Sequence, residues 1–308
     1  MKKQFLADTS LLLVALIWGA TFVLVQNAID LLPPFSFNGV RFLIAAILLG
    51  GWLILFERKQ LAFISKKLIF SGIIIGIWLF IGYATQTAGL LYTSSSKAGF
   101  ITGLSVVLVP LFSLILLKMR PSRNAVIGVT IATVGLYLLT MTDVSALNKG
   151  DALVFICAIG FAMQIIFTGK FSSHYPTLLL TVVQISTVAV LSIICSYFFE
   201  DWRDVLQPDI LLNTDVAVAL FITSVFATAL AFFAQTNFQK FTSPTRVALI
   251  FSMEPVFAAI TGFIWANERL SLSALVGCLF ILAGMIIAEL PTKQLVFLEK
   301  IKGKNQSI

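Results

Sequence analysis

Ten mostly apolar stretches follow one another along this chain, and nearly all of its charges fall between them. A helix needs about 20 such residues to cross a hydrocarbon core ~30 Å thick. The stretches run roughly over 10–29, 34–56, 68–90, 94–117, 123–141, 150–169, 176–199, 215–238, 244–266 and 271–289. Of the 308 residues, 59% are hydrophobic and 11% charged, against roughly 25% charged in soluble proteins. A soluble fold made from them would have to wear an apolar surface. The sequence therefore predicts an all-α integral membrane protein with ten transmembrane helices lying in the lipid bilayer. Lys2 and Lys3 precede an apolar stretch as in a signal peptide. No clear small-x-small cleavage site follows, so the first stretch is expected to be a retained helix.

An even number of crossings puts both termini on one side. Sixteen of the 21 Lys and Arg then fall on the face that holds the termini. Four fall on the other, Lys97, Lys149, Arg203 and Arg269, and Arg41 lies within a span. The basic excess marks that face as cytoplasmic. The net charge of +7 is thereby explained by topology, and no nucleic-acid partner is expected. Cys157, Cys195 and Cys278 sit in apolar tracts without ligand-like spacing, so neither a disulfide framework nor a metal site is expected, and no cofactor. The one long hydrophilic connection, 200–215, reads as a short surface segment.

The chain also repeats itself. At an offset of 143, Asp8 falls on Asp151, Trp18 on Phe161, Gly19 on Ala162, Pro33 on Pro176 and Arg41 on Gln184. After loops that differ by six residues, the offset becomes 149. Gln86 and Thr87 then fall on Gln235 and Thr236, YTSSSK (92–97) on FTSPTR (241–246), and Gly128 and Gly135 on Gly277 and Gly284. Five spans per repeat is an odd number, so the second half must be inverted relative to the first. The expected units are 1–142 and 143–290, followed by a basic cytoplasmic tail, 291–308. Inverted repeats are a route to alternating access about a site near the midplane. One chain that contains both halves has no need to dimerise, so a monomer is the expected working unit.

WGATF in the first span, GFITGLSVVLVPLF at 99–112, and the Glu254-Pro255 pair ahead of ERLS (268–271) resemble the drug/metabolite transporter superfamily, in particular its EamA-type members. The resemblance runs from about residue 10 to 289. It implies two repeats of five helices and the movement of small metabolites, amino acids among them, often outward across the cytoplasmic membrane. It does not name a substrate.

A charge at the bilayer centre costs roughly 2.5–3.5 kcal/mol on insertion scales, which makes the two intramembrane ions candidates for function. Glu254 stands ~15 Å into the ninth span. It is read either as a packing carboxylate or as a protonatable group that handles substrate and couples flux to a proton gradient. Arg41 lies ~10 Å from the outer end of the second, read as a snorkelling anchor or as a guanidinium facing a watery cavity. Its mate Gln184 is expected to keep only hydrogen bonding on an asymmetric binding surface, and Gln86 and Gln235 are expected to join helices or to line the cavity. Trp18, Trp78, Tyr83 and Tyr92 are candidate stacking walls, of which Trp18 alone is deep. Pro110 and Pro255 are expected to kink spans four and nine, as gating points. The small-xxx-small pairs Gly72/Gly76 and Gly99/Gly103 are expected to let helices approach closely. The repeated glycines of spans five and ten mark those helices as packing struts.

The function expected is secondary transport of a small metabolite, with export of amino acids or related compounds first. Import of a nucleoside, vitamin or other metabolite is the alternative. A membrane-embedded enzyme is a remote third: the sole histidine, His174, lies in a loop, and GxSxG, HExxH and the GxxxxGK[ST] nucleotide loop are absent.

Overall fold

The computed structural model describes residues 2–93, 95–140, 148–265 and 271–290. Among them the ordered elements are all helical: α1 (Lys2–Ile29), α2 (Pro34–Phe56), α3 (Lys66–Leu90), α4 (Ser95–Gly103), α5 (Ser105–Leu116), α6 (Arg123–Thr140) and α7 (Lys149–Phe171) in the first part of the chain. There follow α8 (Thr177–Phe199), α9 (Pro208–Leu211), α10 (Thr214–Ile222), a π-helical stretch Thr223–Leu230, α11 (Ala231–Gln239), α12 (Pro244–Phe251), α13 (Glu254–Trp265) and α14 (Leu272–Glu289). The basic tail and the ERL of the ERLS turn lie outside the described residues.

Polar residues start the helices where the apolar stretches start. Ser65 accepts from the Leu68 N–H to begin α3, and Asn148 and Asp151 form a capping box on α7. Ser243 with Pro244 opens α12, and Ser271 opens α14. Two helices outrun the expected spans: α1 begins at Lys2 and α3 at Lys66. Among the described residues seven helical runs are long and apolar enough to cross a membrane, while 123–139 and 272–288 are apolar but shorter. Large apolar side chains such as Leu55, Phe56, Phe198 and Phe199 are exposed. Water would not tolerate such a surface, whereas lipid requires it. This is a multi-pass membrane protein.

Helix pairing follows the repeat. α2 lies on α8, and α6 on α14; α1 packs on α13 and on the α10–α11 run, while α7 packs on α4, α5 and α3. Exchanging every helix for its mate in the other half returns the same pairs. The closest join is glycine on glycine: a Cβ at Gly128 would strike the carbonyl of Gly284, and one at Gly135 the carbonyl of Gly277. The mates by sequence are Gly128 with Gly277 and Gly135 with Gly284, so the early glycine of α6 meets the late glycine of α14. α6 and α14 are antiparallel struts that touch through backbone. Gly72 and Gly76 likewise admit Val183 and Thr187 of α8, but a Cβ at Gly99 would meet nothing within 4 Å. Gly99 borders a cavity instead.

The two tracts expected to be kinked helices are broken ones. α4 stops at Gly103 and α5 starts at Ser105; α12 stops at Phe251 and α13 starts at Glu254. The offset of 149 places Leu104 on Met253 and Ser105 on Glu254, so the breaks are repeat mates. Pro255 has no N–H for the Phe251 carbonyl, and the Met253 N–H turns to Ile250 O at 3.1 Å. Pro255 therefore stands in the first turn of α13, where the missing donor is not needed. Pro110 stays inside α5, six residues past the break at Leu104. The discontinuities belong to the repeat, and only one is set by a proline.

Candidate functional site

Both broken helices meet a cavity of about 410 Å³. Its volume lies in the range of small-molecule sites. Trp18, Arg41, Gln86, Glu254 and Pro255 all line it.

Arg41 projects from the second turn of α2 and is 3% exposed. Its Nε donates to Thr228 Oγ1 at 2.7 Å, and Nη2 points at Ala227 O (3.4 Å) and Tyr83 Oη (3.5 Å). The guanidinium carbon lies 4.9 Å from the Tyr83 ring centroid, within cation–π range. Nη1 bonds to none of the described residues. The Ala227 carbonyl also accepts from Trp18 Nε1 at 2.8 Å. Ala227 is in the π-helical stretch, where the widened ladder leaves carbonyls for side chains. Arg41 is thus buried, held on one edge and bordering the cavity.

Glu254 opens α13, where the positive end of the helix favours a carboxylate. Gly19 brings α1 close enough that a Cβ there would strike the Glu254 carbonyl and the Phe257 side chain. The Glu254 side chain is half-buried and forms no hydrogen bond or ion pair among the described residues. It borders the same cavity as Arg41, and the two are farther apart than the 4.0 Å of a direct ion pair.

The walls are aromatic. Trp18 meets Phe251 at 4.9 Å and Phe232 at 5.4 Å between centroids, and Tyr83 meets Phe161 at 5.3 Å. Sequence reasoning missed the three phenylalanines, although the repeat pointed to two of them: Phe161 is the mate of Trp18, and Phe232 of Tyr83. Trp78 and Tyr92 do not line the cavity.

Three other expectations change. Gln184 is fully buried away from the cavity, its Nε2 donating to Thr236 Oγ1 at 2.9 Å. Gln235 is 1% exposed and trades hydrogen bonds with Gln164 at 3.1 and 3.4 Å, donating also to Gln239. Both are interhelical joints, as a buried amide requires; Gln164, unforeseen, reaches the cavity. Gln86 lines it and donates to Thr102 Oγ1 at 3.3 Å. Pro110 does not line it. Among the described residues no group of three His, Cys, Asp or Glu is placed to hold a metal.

The cavity runs toward Gln26, Leu90, Leu139 and Ser271, at the face where α1, α3 and α6 end and α14 begins. Toward the other face the halves are joined. Arg246 of α12 pairs with Asp8 of α1 at 2.7 Å, while the Gln164–Gln235–Gln239 chain ties α7 to α11 within the second half.

The family model described as "EamA-like transporter family" matches the chain twice, over 5–141 and 148–289. The chain belongs to the EamA-like transporter family. An uncharacterized transporter of Archaeoglobus fulgidus is 36% identical over 94% of this chain and 87% of its own length. The uncharacterized transporter YoaV of Bacillus subtilis is 23% identical, over 89% and 93%. A solved crystal structure superposes with a TM-score of 0.77 at 18% identity, covering 94% of this chain and 98% of the other, and so shares the fold. An EamA-like chain is a membrane transporter, and the aromatic cavity between its halves is where a small-molecule cargo has room.

Proposed function

We propose that the protein exports amino acids or closely related zwitterions across the cell membrane by alternating access, driven by the proton gradient. In this reading ten segments cross, the two family-matching halves are inverted repeats, both termini are cytoplasmic, and a single chain is the working unit. The antiparallel glycine contacts of α6 and α14 support the inversion. The bias of Lys and Arg supports the orientation.

One observation carries the substrate class: Arg41 and Glu254 border the same cavity without neutralising each other by contact. A cavity with a cationic pole, an anionic pole and aromatic sides matches a molecule with a carboxylate, an ammonium and an apolar body. Arg41 offers its open edge to the carboxylate, and Glu254 takes the ammonium. A proton and the ammonium compete for the same Glu254 oxygens. Outward movement of one is thereby linked to inward movement of the other.

The test is flux of a labelled amino-acid mixture in proteoliposomes under an imposed pH gradient, with wild type and Glu254→Gln side by side. Gradient-driven flux in the wild type alone supports the reading. Equal flux in both removes Glu254 from the coupling. No flux of any amino acid removes the substrate class.

A further inference from the structure

α2 and α8 are mates, and their ends correspond in detail. Each begins on a proline N-cap, Pro33 and Pro176, and each ends on a glutamate C-cap, Glu57 and Glu200. The offset of 143 that relates Pro33 to Pro176 also relates Glu57 to Glu200. The helices run against each other, so the glutamate that ends one lies beside the start of the other.

At one face this juxtaposition is bonded. Glu200 reaches across to the first turn of α2: Oε1 accepts from the Phe35 N–H at 2.7 Å, and Oε2 from the Ser36 N–H at 2.7 Å and from Ser36 Oγ at 2.8 Å. Ser36 Oγ also meets Ser196 Oγ at 2.7 Å. The glutamate of one half thus caps the helix of the other with three charge-assisted hydrogen bonds.

At the opposite face the same parts are present and unbonded. Glu57 is exposed, and among the described residues its carboxylate accepts only from Gln60 Nε2, at 3.2 Å. The start of α8 has no side-chain cap. Between them is a second cavity, of about 250 Å³, lined by Glu57, Gln60, Pro176, Thr177 and Leu178. Gln60 Oε1, buried beside it, has no partner. The equivalents of Phe35 and Ser36 are Leu178 and Leu179, in the first turn of α8.

We propose that Glu57 and Glu200 are alternating latches: Glu200 holds the conformation described here, and Glu57 caps the start of α8 when the halves exchange conformations. This rests on the alternating-access reading above. In a pair of inverted repeats the second state is the first with the roles of the halves swapped. A contact made by Glu200 and withheld from Glu57 is one that must swap. The cavity at Glu57 is the space through which the capping geometry closes.

The experiment uses the full chain in membranes, with Cys157, Cys195 and Cys278 replaced and Ala259→Cys, on the cavity wall, as reporter. An impermeant maleimide added from outside reads the accessible state without any substrate, so the result does not depend on the amino-acid assignment. Glu200→Gln is expected to slow labelling about tenfold, the scale of a lost hydrogen-bonded charge. Adding Glu57→Gln to that protein is expected to restore most of the rate, since both latches are then weakened. If Glu57→Gln leaves the slowed rate unchanged, Glu200 is a static cap and the proposal falls, while the transporter reading stands. Should Glu200→Gln not reach the membrane, a Glu57→Cys/Leu178→Cys pair decides. Its disulfide yield must drop when the outside reagent holds the cavity open, and an undiminished yield overturns the latch.

Discussion

Arg41 and Glu254, on α2 and α13, share one cavity across a gap wider than an ion pair. Two opposite charges at membrane depth would be expected to close on each other, because an unpaired one is costly there. Here each is held by its own surroundings: Arg41 by Thr228, Ala227 and the Tyr83 ring, Glu254 by its place at the start of α13. The gap is therefore built in.

Replacing Arg41 with Gln, the residue its mate position holds, removes one pole. Binding of a zwitterion is expected to weaken about 10–100-fold, since a buried charge–charge contact is lost. Equilibrium binding of a labelled amino acid measures this, and the same variant should discriminate less against the corresponding amine, which has no carboxylate. Unchanged preference for the acid over the amine would place the carboxylate elsewhere.

Glu254→Gln keeps the shape of the site and removes the proton acceptor. Exchange of amino acid for amino acid is expected to persist at reduced affinity, while the response to a pH gradient disappears. A gradient response equal to wild type would show that protons travel by another group.

Gly135→Val puts a side chain where α6 meets the Gly277 carbonyl and Ile281. The strain of such overpacking is about 1–3 kcal/mol. The detergent-solubilised protein is expected to unfold at a measurably lower temperature, whereas Gly99→Val, with nothing nearby, should change that midpoint little. Equal midpoints for the two would mean that α6 and α14 can part without cost.

Asp8→Asn breaks the contact with Arg246 that joins α1 to α12 away from the cavity mouth. With one partner neutral, the face that carries the termini is expected to open more often. Faster labelling of a cavity cysteine from that side would report it. The exchange Asp8→Arg with Arg246→Asp should restore the slow rate if pairing, and not either residue alone, is what holds.

Hydropathy and the repeat offsets made much of this legible. The all-helical membrane character, the two matching halves and the glycines of α6 and α14 were readable there, and Trp18, Arg41, Gln86 and Glu254, named as candidates from the residues, line one cavity. Gln184 was misplaced, and Gln235 was left between two readings, for a physical reason. A helix that is apolar all round carries no stripe to say which face looks inward, so a buried amide reads the same whether it meets cargo or a neighbouring helix. The break at Leu104 left no trace either, because no proline or charge marks it; only its mate at Met253, beside Pro255, has a local cause. Glu200 was passed over as a charge in a hydrophilic connection, since its value lies in the α2 turn it caps across the fold.

The glycine struts and the two-pole cavity place different demands on ancestry. Two identical copies of either half could join through α6-like helices, because Gly128 and Gly135 repeat as Gly277 and Gly284. Two copies of the first half, however, would bring two arginines with two serines, Arg41 and Ser105 each doubled. Two copies of the second would bring paired Gln184 and Glu254. Only halves free to differ in sequence, as the two in this chain do, can set one cation against one anion.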